Sequence, residues 1–213
     1  MNDGVLLIGG GGHASVLLEI LIEQKINIIG YVSPIPAANQ KLFSTIHWFK
    51  SDEDILQFDK SMIKLVNGIG SLPRNTIRTD LYHQYKNLGY SFATLISGKA
   101  DVSNYACLEE GVQVMRGAII QTGACIGYNS IVNTGAIIDH DCSIGSNNHI
   151  APGVTISGQV TSSSNVHFGT GSSVIQSIEI NKNAVVGAGT TITKNVDKNT
   201  TCFPARIFKK VIN

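Results

Sequence analysis

Two adjacent residues carry the clearest chemistry in this chain: His140 and Asp141, which close the run Asn133-Thr134-Gly135-Ala136-Ile137-Ile138-Asp139-His140-Asp141-Cys142. A neutral imidazole with a pKa of about 6.5 can accept a proton at pH 7, and a carboxylate against its second ring nitrogen fixes the tautomer and stabilises the imidazolium. Such a base contributes on the order of 10²–10⁴-fold to a rate. His149 and His167 follow, 18 residues apart. The cysteines Cys107, Cys125, Cys142 and Cys202 form no Cys-x-x-Cys pair and match no zinc spacing, so buried thiols of a cytosolic protein are the plain reading.

A second cluster opens the chain, in Leu7-Ile8-Gly9-Gly10-Gly11-Gly12-His13. Gly9-x-Gly11-x-x-Ala14 formally fits the dinucleotide fingerprint, which also needs an acidic residue about 20 positions on, after the second strand. That place reads Tyr31-Val32-Ser33-Pro34, so NAD is disfavoured. Backbone N–H groups at a helix N-terminus still suit a phosphate. Gly68, Gly70 and Arg78 are weaker candidates for the same pocket.

The elements that must hold these residues fall into two patterns. Residues 1–96 alternate strands and helices: Val5-Leu6-Leu7-Ile8, a helix from Ala14 to Gln24, a strand from Ile26 to Val32, a short helix from Asp52 to Phe58 with Ser51 as N-cap, a strand and turn from Lys64 to Gly70, a helix from Thr76 to Leu88 closed by Gly89, and a strand from Tyr90 to Ile96. This order predicts a parallel sheet of Rossmann-like topology. From Val102 an aliphatic residue recurs every six positions through Leu108, Val114, Ile120 and onward to Ile192, with Ser162 and Phe168 breaking the rule. Four positions after each, the side chain is usually small or β-branched, with Asn148 and Ile178 fitting less well. A period of six is neither a helix face nor strand alternation; it is the hexapeptide β-helix repeat, three hexads to a coil. The small residue is expected where the chain turns.

Bulk composition agrees. The chain has 213 residues, 43% hydrophobic and only 15% charged, with 22 glycines, which suits many tight turns around a buried core. The formal charge of +1 and the lack of a basic stripe argue against nucleic acid. No signal-like start and no membrane-length apolar run is present, so a cytoplasmic protein without membrane insertion is expected.

Hexapeptide repeats in this register resemble the left-handed β-helix acyltransferases. The glycine turn ending at His13 and the Asn133–Cys142 run narrow the likeness to the bacterial sugar O/N-acyltransferases, which include acetyltransferases of UDP-4-amino sugars, of GDP-perosamine and of sialic acid. The resemblance implies residues 1–97 as a Rossmann-like nucleotide-sugar-binding domain and 98–213 as a left-handed β-helix acetyl-CoA-binding domain with a short tail. It implies His140 as general base supported by Asp141, and His149, Gly158, Thr170 and Ala188 as acetyl-CoA contacts, Gly158 through its backbone N–H. Gly11, Gly12 and His13 match residues that hold the nucleotide sugar. Acetyl-CoA is the implied co-substrate, with no permanently bound cofactor and no metal, and a homotrimer the implied assembly. The family's paired aspartates after the second strand are replaced by Ser33-Pro34. Phe203-Pro204-Ala205-Arg206 resembles a closing motif near the adenine, with Cys202 where glycine is usual.

The expected activity is N-acetylation of a nucleotide-linked 4-amino sugar, with O-acetylation of the sialic acid kind as the alternative. A β-helix carbonic anhydrase needs a His-x4-His pair, and the residue five after His140 is Gly145. An ice-binding solenoid wants ladders of identical polar residues and no Rossmann-like domain.

Overall fold

The apolar run at the front becomes β1 (Gly4–Ile8), the central strand of a parallel sheet in the computed structural model, which describes residues 4–37 and 41–204. β2 (Ile28–Val32) and β4 (Ile63–Asn67) flank β1, and the two-residue strands β3 (Trp48–Phe49) and β5 (Ser91–Phe92) form the edges, in the order β3-β2-β1-β4-β5. Both faces are covered, so β1 can be apolar throughout. Leu7 packs on Ala14, Leu17 and Leu21 of α1 (Gly12–Glu23), whereas Leu6 and Ile8 pack with Tyr82 and Tyr85 of α2 (Ile77–Asn87).

One local expectation is met and one is corrected. The short helix after Ser51 is a 3₁₀ helix, Asp52–Gln57. Ser51 does cap it, accepting from Glu53 N–H at 3.2 Å while Asp54 accepts from Ser51 N–H at 3.0 Å. The single strand expected over 90–96 is two: β5 ends the first sheet, and Leu95–Ile96 pairs with Gln113–Val114 as the first strand of the solenoid. The short edge strand β3 had no period-2 signal to reveal it.

The solenoid is a left-handed parallel β-helix with three faces. The first face has seven two-residue strands, from Leu95–Ile96 to Thr201–Cys202; the second has six, from Asp101–Val102; the third has five, from Cys107–Leu108. Ile120, Ile138, Ile156 and Val174 stack inward on successive coils and are at most 1% exposed. From Leu108 to Val186 the residue three after each inward position, such as Gly123 (φ 72°) or Asp141 (φ 57°), takes the left-handed conformation. The small residue one further on, Ala124 or Cys142, is the buried one, so it fills the inside of the corner rather than making the turn. The last coil is shorter, with Ile180 opposite Val196 and Val186 opposite Cys202.

The two breaks in the repeat have different causes. Phe168 points inward and is fully buried, a larger side chain in the same role. Ser162 also points inward, where its Oγ accepts from Asn148 Nδ2 at 2.7 Å; Asn148 Oδ1 accepts from Val166 N–H at 2.6 Å. The serine and the ill-fitting asparagine are thus one buried polar pair.

The N-terminal unit sits on the first face. Leu95, Met115 and Ile131 share a core with Leu17 and Leu21 of α1. Arg116 pairs with Glu19 at 2.9 Å, and Lys86 of α2 with Glu110 at 2.8 Å, at the two margins of that face.

Candidate functional site

His140 occupies the corner between the second and third faces. Ile138 before it is drawn into the core, and Asp141 after it holds the left-handed turn, which folds the carboxylate back toward the ring. Asp141 Oδ2 lies 2.9 Å from His140 Nδ1. The carboxylate can only accept, so Nδ1 carries the proton and Nε2 presents its lone pair. Asp139 Oδ1 accepts from the His140 backbone N–H at 2.8 Å. The hydrogen bond to Asp141, and after it the charge of Asp139, hold the imidazole pKa above its ordinary value. One coil on, Gly158 stands beside the ring: a Cβ on Gly158 would lie 2.6 Å from both Cε1 and Nε2.

The glycine turn borders a cavity of about 570 Å³, with Ser33 and Pro34 after β2 and Gly68 and Gly70 after β4 also in its wall. Gly9 turns at φ 106°, a conformation that favours glycine. Gly11 caps α1 without any side-chain bond, and the first turn of α1 holds no acidic residue. A Cβ at Gly11 or Gly12 would meet nothing within 4 Å, so chain packing does not demand glycine there. Their bareness leaves the helix N–H groups open to an anionic group. Asp52 reaches the same wall from the 3₁₀ helix after β3. The sequence offered no sign of it, since it comes from a different loop than the one the dinucleotide fingerprint specifies.

His13 lines this cavity but is also tied to the solenoid, its Nε2 lying 2.8 Å from Gln113 Oε1. Gln113 Nε2 donates to Asn67 O at 2.8 Å, which fixes the amide orientation, so His13 Nε2 must be the donor. Burial, with Arg78 adding to it, lowers the His13 pKa to about 4. Arg78, expected at the glycine pocket, faces elsewhere: it is buried at the seam between the two units, giving Nη1 to Asn67 O (2.8 Å) and Ile69 O (2.7 Å) and Nε to Asn129 O (3.2 Å). Asn67 and Gln113, which organise this seam, carried no sequence signal.

The four residues expected at acetyl-CoA do not converge within one chain. Gly158 is beside His140. His149 lies on the first face, with His167 stacked on the next coil at 4.8 Å between ring centroids. Asn133 Oδ1 accepts from Thr134 N–H, so Nδ2 faces His149 Nε2 at 3.3 Å and that nitrogen accepts. Burial, followed by the neighbouring His167, lowers the His149 pKa to about 3. Thr170 and Ala188 stack at the corner between the first and second faces, joined by the bond from Gly189 N–H to Thr170 O at 2.9 Å. Phe203 and Pro204 close the described chain; Ala205 and Arg206 lie outside the described residues.

Among the described residues no group of three or more His, Cys, Asp or Glu side chains is arranged to hold a metal. Among them, no helix is long and apolar enough to cross a membrane.

Residues 4–85 match the family model described as the PglD N-terminal domain. PerB from Caulobacter crescentus, solved in complex with CoA and GDP-perosamine, is 30% identical, with 93% of this chain and 92% of PerB covered at a TM-score of 0.81. The acetyltransferase domain of PglB from Neisseria gonorrhoeae, in complex with acetyl coenzyme A, is 25% identical, with 98% and 100% covered at a TM-score of 0.85. WeeI from Acinetobacter baumannii, at 18% identity, shares the fold, with 93% and 95% covered at a TM-score of 0.78. A search of curated proteins found no match.

Proposed function

We propose that this chain, which belongs to the left-handed β-helix, hexapeptide-repeat sugar O/N-acyltransferases, moves an acetyl group from acetyl-CoA to the amino group of a nucleotide-linked 4-amino sugar. The observation that carries the reading is the His140–Asp141 pair, with Nδ1 held by the carboxylate and Nε2 open. The amine nitrogen attacks the thioester carbonyl and gives its proton to Nε2. The C–N bond forms, the C–S bond breaks, and the CoA sulfur leaves, taking a proton as the thiol. Direct transfer of this kind needs no cysteine nucleophile. The Gly158 N–H donates to the thioester oxygen as charge develops on it.

The bare N–H groups of Gly11 and Gly12 at the start of α1 receive the diphosphate of the nucleotide sugar, with His13 fixing the floor of the pocket and Asp52 offering a carboxylate to ribose hydroxyls. The pantetheine arm runs along Thr170 and Ala188 and past His149 toward His140.

This assignment requires more than one chain. The glycine pocket belongs to the unit on the first face, while His140 stands on the corner opposite that face, and Thr170 and Ala188 stand on another corner. A homotrimer lets the base of one chain meet the sugar held by its neighbour. The product amide would enter surface polysaccharide or glycoprotein synthesis in the cytoplasm, where acetyl-CoA and nucleotide sugars are made.

A thiol-release assay with acetyl-CoA across UDP-, dTDP- and GDP-linked 4-amino sugars, with free sialic acid alongside, tests the reading. Turnover with at least one amino sugar is expected. Turnover with sialic acid alone would replace N- by O-acetylation, and no turnover with any acceptor would reject it. Mixing His140→Ala with Gly12→Asp subunits under exchange conditions should restore part of the activity that each lacks alone, if the site is shared between chains.

A further inference from the structure

Apart from the glycine pocket, a cavity of about 410 Å³ lies between the loop before α2 and the first face of the solenoid. Arg78 is in its wall. That side chain is 4% exposed, and while Nε and Nη1 bond to carbonyls, Nη2 is buried without a hydrogen-bond partner. No carboxylate pairs with Arg78 among the described residues, and no Asp or Glu lines the cavity. A cation taken out of water with an unused donor calls for an anion.

Other donors converge on the same space. Asn147, Asn165, Asn183 and Asn199 stack along one corner and line it. Asn165 Nδ2 donates to Asn183 Oδ1 at 3.3 Å, and Asn183 Nδ2 to Asn199 Oδ1 at 2.9 Å. Asn147 Oδ1 accepts from Asn129 Nδ2 at 2.8 Å, and the ladder then breaks before Asn165, leaving Asn147 Nδ2 as a spare donor. The His167 ring is in the wall too, with Nδ1 buried and unpartnered. The N-terminus of α2 borders the cavity, capped by Thr76 without a side-chain bond. Arg74 arches over it, its Nη2 donating to Thr201 Oγ1 at 3.1 Å.

We propose that this cavity binds a phosphate group of a small molecule, with Arg78 as a buried donor, Asn147 as a half-buried one, and His167 and Arg74 completing the shell. Several donors arriving from different directions suit the many acceptor oxygens of a tetrahedral dianion better than the plane of a carboxylate. The phosphate could belong to CoA, to the nucleotide diphosphate, or to a free anion, and the test separates these sources.

The variant is Asn147→Asp. It keeps the oxygen that accepts from Asn129, tolerates the left-handed backbone at φ 56°, and replaces the spare donor by a negative charge. Calorimetric titrations of the intact oligomer use inorganic phosphate, CoA, dephospho-CoA and UDP. Saturable phosphate binding to the wild type is expected, weakened at least about tenfold in Asn147→Asp, with the melting temperature in anion-free buffer unchanged. A matching loss for CoA but not dephospho-CoA assigns the cavity to the ribose phosphate of CoA, a loss for UDP assigns it to the nucleotide diphosphate, and a loss for inorganic phosphate alone assigns it to a free anion. Equal phosphate affinity in the two proteins, or no saturable binding to the wild type, overturns the proposal. Arg74→Ala supplies a second variant with an exposed side chain and should weaken binding in the same titrations. Phosphate binding should survive in His140→Ala, so failure here and failure of acetyl transfer are read separately.

Discussion

Gly158 stands beside the imidazole of His140, with no room for a methyl group: a Cβ there would lie 2.6 Å from Cε1 and Nε2. The imidazole is thus positioned from both sides, by the Asp141 carboxylate on Nδ1 and by the bare backbone of the next coil. Gly158→Ala must push the ring away. A displacement of about 1 Å at a reacting group can cost on the order of 10²-fold. Steady-state kinetics should show kcat falling by about that factor while the melting temperature barely moves. Unchanged kcat would mean that the ring position is immaterial.

The pH profile of kcat/KM should carry the signature of the pair. A base acts in its neutral form, so activity is lost as pH falls through the imidazole pKa, which Asp141 and Asp139 hold above the ordinary value. Asp141→Asn removes the larger of those two influences. The acidic limb should therefore move to lower pH in the variant, with a kcat loss smaller than that of His140→Ala. A limb that stays in place would dissociate Asp141 from the titration.

Acid should loosen the seam between the two units before it unfolds either sheet. Burial lowers the pKa of His13 to about 4 and of His149 to about 3, below the 6.5 of an unfolded histidine. Between those values and 6.5 the unfolded chain binds more protons, so stability is full above pH ~6.5 and declines as pH falls toward 4, by up to about 1.4 kcal/mol per pH unit for each histidine. Denaturant melts at stepped pH should show this slope, and His13→Gln should make it shallower. An equal slope in the variant would place the acid sensitivity elsewhere.

The buried polar pair in the solenoid predicts an outcome opposite to the repeat rule. Ser162→Val restores the aliphatic pattern, yet it removes the acceptor of Asn148 Nδ2 at 2.7 Å. Asn148 Nδ2 keeps its bond to Ser163 O at 3.0 Å, but its other N–H is left buried without a partner, at a cost of about 1–3 kcal/mol. Chemical denaturation should find the variant less stable than the wild type. A gain in stability would show that the pair is dispensable.

The repeat was legible because it needs only two facts per hexad, an inward aliphatic side chain and a small one beside the turn, both local to the chain. Asp141 at the left-handed position after Ile138 follows from the same register, so the dyad was readable too. What could not be read was set by contacts between distant parts. Ser162 breaks the hexad rule, and only Asn148, 14 residues away in the chain, explains it. Arg78 reads as a glycine-pocket residue in the sequence, whereas Asn67 and Asn129 hold it at the seam, facing a different cavity. Asp52 reaches the glycine pocket only because β3, a two-residue strand, delivers it there. His149 and His140 looked like one site along the sequence, whereas a three-sided coil puts them on different sides.

The most direct test of the account is the turnover of His140→Ala with acetyl-CoA and an accepted amino sugar, measured alongside CoA affinity by calorimetry. The predicted result is a kcat lower by about 10²–10⁴-fold with CoA binding close to wild type. Near-normal turnover with intact CoA binding would contradict the role of His140 as the base.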